Sequence, residues 1–309
     1  MSNSVNTILV FFIMLLCGAF LTWRGILDEH ASSKLTKIVL VICVPATMFN
    51  NVFTYFDPEM LTSAGKTLLV PFLTVFAAWC LGMLAGKLLR IPENRRGVFA
   101  VLFACSNTVF VGLPVNQALF GDAASVPALF YFLGNTVVFW TVGVWGIRRD
   151  AGVRSPFFSL ETLKKMATPS LVTLIIALIL LFLKVPIPAF LMQATSKLGA
   201  PGTPLAMIIA GGVIWRGIVR GTWKRREVIF TMAGKVLVTP LLAWGFASVL
   251  GVGGFLQQIF IAQAAMPVMS QSTIVAQNAG ADDELASAAT VVSMTSLLAI
   301  MPILTAIFG

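Results

Sequence analysis

The chain has 309 residues, 58% hydrophobic and only 11% charged, with a mean hydropathy of +0.93. A soluble domain carries roughly 25% charged residues, so this composition excludes a soluble globular protein, and it is far too apolar for a disordered one. The net charge of +9, from 21 Lys and Arg against 12 Asp and Glu, would suggest nucleic acid in a soluble chain. In a membrane protein it follows first from the excess of basic residues on the inner side, and no nucleic-acid partner is expected.

Met1 to Thr7 holds no basic residue ahead of the first apolar run, and Trp23 and Arg24 follow that run in place of a small-residue cleavage site. This predicts a retained first helix rather than a signal peptide. Apolar stretches of spanning length fall at 5–23, 34–54, 62–89, 97–120, 124–147, 168–184, 198–216, 228–250, 255–281 and 285–308. A membrane helix takes about 20 residues, so the chain reads as ten transmembrane helices. Residues 186–197 form a short amphipathic connector, and the longest polar linker runs from Arg148 to Thr168. The expected organisation is a first five-helix unit over 1–150, a cytoplasmic linker over 151–167 and a second five-helix unit over 168–309.

The basic residues orient this layout. With the N-terminus outside, the inner connections hold Arg24, Lys34 and Lys37; Lys87, Arg90, Arg95 and Arg96; Arg148, Arg149, Arg154, Lys164 and Lys165; and Arg216, Arg220, Lys224, Arg225 and Arg226. That is 17 of the 21. Both termini are then expected on the extracytoplasmic side of a cell (inner) membrane, with Trp23, Trp145, Trp215 and Trp223 as anchors near the inner ends.

The third helix reads Ala64-Gly65-Lys66 with Pro71 five residues on, and the eighth reads Ala233-Gly234-Lys235 with Pro240 five residues on. Carried on to Gly82 and Gly251, the two segments share nine identities in nineteen positions. Helices five apart cross in opposite directions, so this is the pattern of an inverted repeat of five plus five helices. Such repeats belong to secondary transporters with a site at mid-membrane.

Two interruptions fall at matching places in the halves. The fourth helix carries Ser106-Asn107-Thr108 and then Gly112 and Pro114 at its centre; the ninth carries Met266-Pro267 near its midpoint, with Gln271 following. Ser, Asn and Thr are N-cap residues, so a second half-helix can start there with its free N–H groups facing a ligand. Pro removes a helix hydrogen bond, and the freed carbonyls need neighbours or a cavity. Asn135 lies at the midpoint of helix five, and Thr47 and Asn50 lie in the outer half of helix two. The candidate substrate-binding residues are Ser106, Asn107, Thr108, Asn135, Met266, Pro267, Gln271, Thr47 and Asn50, with Gly112, Pro114 and Pro267 as structural breaks. Packing between helices through polar side chains is the competing reading for each.

Other chemistry is excluded. Cys17, Cys43, Cys80 and Cys105 each sit in an apolar run, read as buried inert thiols, and form no metal motif. The one histidine, His30, lies beside Asp28 and Glu29 in a polar connection. Asp282-Asp283-Glu284 reads as a solvated connection rather than a metal site. No acidic residue lies in the middle of any apolar stretch, so paired membrane aspartates and carboxylate proton relays are missing. The chain is not expected to be an enzyme or to hold a cofactor or metal. Lys66 and Lys235 are basic, sit at equivalent repeat positions at the membrane edge and offer electrostatic support for an anion; pairing with Asp57 or Glu59, or with lipid headgroups, competes with that role.

Ser106-Asn107-Thr108 with Gly112-Leu113-Pro114 and Phe120-Gly121, together with Gln263-Ala264-Ala265-Met266-Pro267, resembles the fourth- and ninth-helix motifs of the auxin efflux carrier family. The similarity runs over nearly the whole chain. It implies an all-α polytopic membrane protein of the bile-acid symporter and PIN-like fold, with a scaffold part and a transport part. Helices four and nine would cross at their breaks, the substrate would bind at that crossing, and access would alternate by an elevator movement. By motif, Asn107 and Pro267 carry over, and Asn135 more loosely. Plant carriers have a proline between two asparagines where this chain has Cys105-Ser106-Asn107, which weighs against auxin itself. The resemblance also implies a homodimer through the scaffold helices.

The expected function is a secondary carrier of small organic anions such as carboxylates, in contact with membrane lipid. A sodium-coupled symporter of the bile-acid type is the alternative; it needs a cage of Asn, Gln, Ser and carbonyl oxygens near the crossing.

Overall fold

A backbone in lipid must satisfy its own hydrogen bonds, which leaves helices as the economical solution for so apolar a chain. The computed structural model describes residues 2–55, 65–153, 169–220 and 225–308, and apart from one isolated bridge every regular element in them is helical. Asp57, Glu59, Arg154, Lys164, Lys165, Trp223 and Lys224, named above, lie outside the described residues.

In chain order the α-helices are α1 Ser2–Trp23, α2 Glu29–Ile38, α3 Val44–Tyr55, α4 Gly65–Leu88, α5 Glu93–Ala104, α6 Leu113–Phe120, α7 Ser125–Val138 and α8 Val144–Asp150. After the central linker come α9 Pro169–Phe182, α10 Ala189–Gly199, α11 Gly202–Arg220, α12 Arg226–Ala233, α13 Thr239–Val249, α14 Gly254–Ala264, α15 Gln271–Ala279 and α16 Asp283–Phe308. Several run on end to end. Six rods are long and apolar enough to cross a membrane: Glu29–Thr54, Gly65–Leu88, Asp122–Asp150, Ala189–Val219, Arg226–Val249 and Asp283–Phe308. Of the remaining predicted stretches, 5–23 lies in the continuous helix α1, the described part of 168–184 forms the shorter α9, and 97–120 and 255–281 are interrupted helices. His30 falls in the first turn of α2 rather than in a loop; Asp28 caps that helix by accepting from Ala31 N at 2.6 Å.

Proline explains three local widenings. Each of the π-turns Val39–Cys43, Thr108–Gly112 and Gly234–Val238 ends two residues before a proline: Pro45, Pro114 and Pro240. The missing N–H strands the carbonyl four residues back, and the ladder shifts to the wider spacing around it. A fourth π-turn, Phe139–Gly143, has no such proline; there the Thr141 hydroxyl donates to Val137 O at 2.6 Å.

The helices pack in two groups that cut across the two halves of the sequence. In one, α1 crosses α11, and α3 lies against α9 and α10. In the other, α4 packs on α5, α7 and α13, α5 on α8, α13 on α14, and α15 on α16. Glycine sets the closest approach in the first group: a Cβ on Gly18 would lie 1.8 Å from Ile208 O, and one on Gly211 would lie 1.9 Å from Leu15 O. Without them α1 and α11 would be forced apart. The rod Asp122–Asp150 runs through the middle, with 78% of its most apolar window buried against 33% for Gly65–Leu88. Leu9, Ile13, Leu16, Ile175, Ile179, Leu241 and Trp244 face outward, as lipid-contacting side chains should. All four cysteines are free; Cys43 and Cys105 are buried, whereas Cys17 and Cys80, expected inside, are exposed on this outer surface.

Candidate transport site

The two helix interruptions meet. α5 stops at Ala104, and Cys105 turns extended at φ −82°, ψ 130°. α14 stops at Ala264, and the chain resumes helix at Gln271. Between these ends, Ser106 and Val268 form an antiparallel bridge. Asn107 N donates to Pro267 O at 2.7 Å, and Met269 N donates to Cys105 O at 3.1 Å. Two broken helices thus satisfy each other's backbone in a region where water is excluded.

A bridge of this kind leaves the outward-facing polar groups of its central residues open. Side chains from neighbouring helices close them. Ser106 N donates to Asn135 Oδ1 at 2.9 Å, and Asn135 Nδ2 donates to Ser106 O at 3.0 Å. On the other side, Val268 N donates to Ser293 Oγ at 3.0 Å. Asn135 Nδ2 also approaches Met269 Sδ at 3.6 Å.

Asn107 Nδ2 donates to Ser270 Oγ at 3.0 Å, a link between the two breaks made by side chains alone. Gln263 Nε2 donates to Thr108 O at 3.2 Å. Gly112 is needed beside it, since a Cβ there would lie 2.2 Å from Gln263 Oε1. Asn116 Nδ2 takes the Gly112 carbonyl at 2.7 Å. Gln263 Oε1, Asn116 Oδ1 and Gln271 Oε1 are buried acceptors without a hydrogen-bond partner.

Lys235, at the start of the third π-turn, is 1% exposed. Its Nζ donates to Ala104 O at 3.1 Å and to Ser106 Oγ at 2.5 Å. Ser106 Oγ donates to Ala264 O at 3.2 Å, and the single Thr239 hydroxyl proton is shared between Lys235 O at 2.9 Å and Ala264 O at 3.0 Å.

Ser106, Asn107, Thr108, Asn135, Met266, Pro267 and Lys235 therefore come together at or beside the crossing, with Gly112 and Pro114 in the segment that leaves it. Gln271 opens α15 immediately after the second break. Thr47 and Asn50 belong to a different contact. Asn50 Nδ2 donates to Met192 O at 3.0 Å, and Gly199 packs so closely that a Cβ there would lie 2.5 Å from Thr47 Oγ1, so both make their contact with α10. Lys66 is exposed in the first turn of α4, unlike its counterpart Lys235.

Ser293, Thr239 and Ser270 take part without having been singled out, and Gln263, quoted only as part of the ninth-helix motif, takes part as well. A lone hydroxyl in an apolar helix carries no sequence signal, since it bonds to its own helix just as readily. The adjacency of Thr239 to Pro240 was the one usable cue.

Asp282 also departs from its expected solvated setting. Its carboxylate meets Arg95 Nε at 2.9 Å and Arg225 Nη1 at 3.5 Å, its side chain is 11% exposed, and it caps α16 through Leu285 N at 2.8 Å. Glu284 pairs with the same Arg225. No group of three or more metal-capable side chains occurs among the described residues.

The pattern that defines the membrane transport protein family matches residues 4–305. The chain belongs to that family. This is the group, which includes the auxin efflux carriers, that the fourth- and ninth-helix motifs pointed to. The transporter is 26% identical over 279 residues to an uncharacterised transporter of Methanocaldococcus jannaschii, covering 85% of each chain. It is 24% identical over 306 residues to an uncharacterised transporter of Methanothermobacter thermautotrophicus, covering 96% of each. It is a multi-pass membrane protein and not an enzyme.

Proposed function

We propose that this transporter carries small organic anions such as carboxylates, with the substrate held where the two broken helices cross. The observation that carries the reading is the composition of the crossing. Asn107, Asn135 and Ser270 surround it, and Lys235 is the only charged side chain in the buried set among the described residues. The half-helices α6 and α15 lead away from the breaks, so positive helix ends and amide donors face the same region. A carboxylate is the ligand such donors favour.

The transport unit in this reading is the group built from α4–α8 and α12–α16, moving as an elevator against α1–α3 and α9–α11. The inverted repeat of 1–150 and 168–309, a scaffold-mediated homodimer and extracytoplasmic termini in the cell membrane belong to the same proposal. The orientation is supported by the one-sided placement of 17 of the 21 basic residues. The membrane potential can drive such a carrier, since one charge moved through 100 mV is worth about 2.3 kcal/mol.

Uptake into proteoliposomes across a panel of dicarboxylates and aromatic acids tests the function. Saturable transport of at least one, lost in Asn107→Ala, is the expected outcome. No transport of any acid in the panel, with the variant indistinguishable from the parent, would count decisively against it.

A further inference from the structure

The two hydrogen bonds of the Lys235 ammonium both go to oxygen. Ala104 and Ala264 are the last residues of α5 and α14, so both carbonyls sit at the negative ends of half-helices that stop in the same place. The Lys235 ammonium takes the first directly and reaches the second through Ser106 Oγ, which Thr239 Oγ1 joins on Ala264 O. A carbonyl and a hydroxyl on the charge, with a second carbonyl and a second hydroxyl one hydrogen bond further out, are oxygen donors of the kind an alkali-metal ion takes, and converging half-helix C-termini are where membrane carriers place one. No acidic side chain is in the buried set to pair with the lysine among the described residues.

We propose that the Lys235 ammonium is a resident cation, occupying the position between the two half-helix ends that sodium would otherwise take. A cation tethered to its own helix cannot be exchanged across the membrane. The transporter is therefore independent of sodium, and no cation gradient is coupled at this position. This rests on reading the crossing as the transport site only for its consequence in uptake.

The test is thermal melting of the purified full-length protein in detergent, with sodium, lithium or choline chloride at constant ionic strength. The parent protein is expected to melt at the same temperature in all three. Lys235→Ala empties the position while keeping its oxygens. It is expected to melt lower in choline and to recover by about 3 °C or more, saturably, in sodium or lithium. Lys235→Arg keeps the charge and is expected to show no cation response. If Lys235→Ala does not fold, the longer neutral Lys235→Gln is assayed the same way. Equal melting of the neutral variant in choline and sodium would overturn the proposal, as would a sodium response in the parent protein. No substrate enters the assay, so a failure here leaves the anion reading standing, and a failure of anion uptake leaves this result intact.

Discussion

One carboxamide, that of Asn135, holds both backbone polar groups of Ser106, accepting from its N–H at 2.9 Å and donating to its carbonyl at 3.0 Å. All four atoms are buried, and the side chain does the work of a third strand beside the Ser106–Val268 bridge. A buried N–H or C=O left without a partner costs about 1–3 kcal/mol. Asn135→Ala is therefore expected to lose about 3 kcal/mol and to melt well below the parent protein. Asn135→Asp keeps the acceptor for Ser106 N but loses the donor to Ser106 O. Melting and uptake measured on both variants check this; an unchanged melting temperature in Asn135→Ala would refute the bridging role.

Asn107 is held differently. Its amide meets a hydroxyl, Ser270 Oγ, and no backbone group depends on it. Asn107→Ala is expected to cost about 1 kcal/mol or less in stability and yet to lower transport at least about tenfold. Melting and uptake on the same preparation separate the two effects. A large fall in stability with a proportionate fall in uptake would make Asn107 structural.

Asp282 ties the start of α5 and the approach to α12 to the start of α16. Asp282→Ala removes a helix cap worth about 1 kcal/mol and ion pairs worth about 1 kcal/mol between them. Arg225→Ala, with the cap intact, is expected to cost half as much or less. The difference between parent and Arg225→Ala should shrink as salt rises toward 1 M, because these partners are partly exposed. Melting across a salt series checks both expectations.

Glycine at the α1–α11 crossing gives a steric test. Gly211→Ala would drive a methyl group into the Leu15 carbonyl, and backbone cannot yield as a side-chain tip can. The expected cost is about 2 kcal/mol. Gly245, inside α13, has nothing within 4 Å of its Cβ position, and Gly245→Ala is expected to be neutral or to stabilise by about 0.5 kcal/mol or more. Equal behaviour of the two variants would show that the close contact does not matter.

Much of the helical layout was legible because lipid removes the alternatives. An apolar run of spanning length has to be mostly helical, and among the described residues each predicted stretch is, apart from the extended breaks in 97–120 and 255–281. The breaks were legible too, since Pro114, Pro267 and the Ser106–Thr108 triplet violate helix rules where nothing else would tolerate it. Which polar residues attend the breaks was only partly readable. Asn135 stood out as an amide at mid-helix, whereas Asn50 looked much the same and serves the contact with α10 instead. Lys66 and Lys235 share a local sequence and differ in fate: Lys66 is exposed in the first turn of its helix, whereas Lys235 lies inside the rod Arg226–Val249 and is fully buried against the end of α5. Tertiary placement of that kind has no signature in a periodic pattern.

The grouping of helices has a mechanical consequence. The hydrogen bonds that hold the crossing, from Asn135, Lys235, Thr239, Gln263, Ser270 and Ser293 and between the two extended segments themselves, begin and end within the group built from α4–α8 and α12–α16. Sliding that group along α1 and α11 breaks none of them. In the proposed elevator movement the groups at the crossing would therefore travel as a cassette, with the same internal geometry at both ends of the stroke.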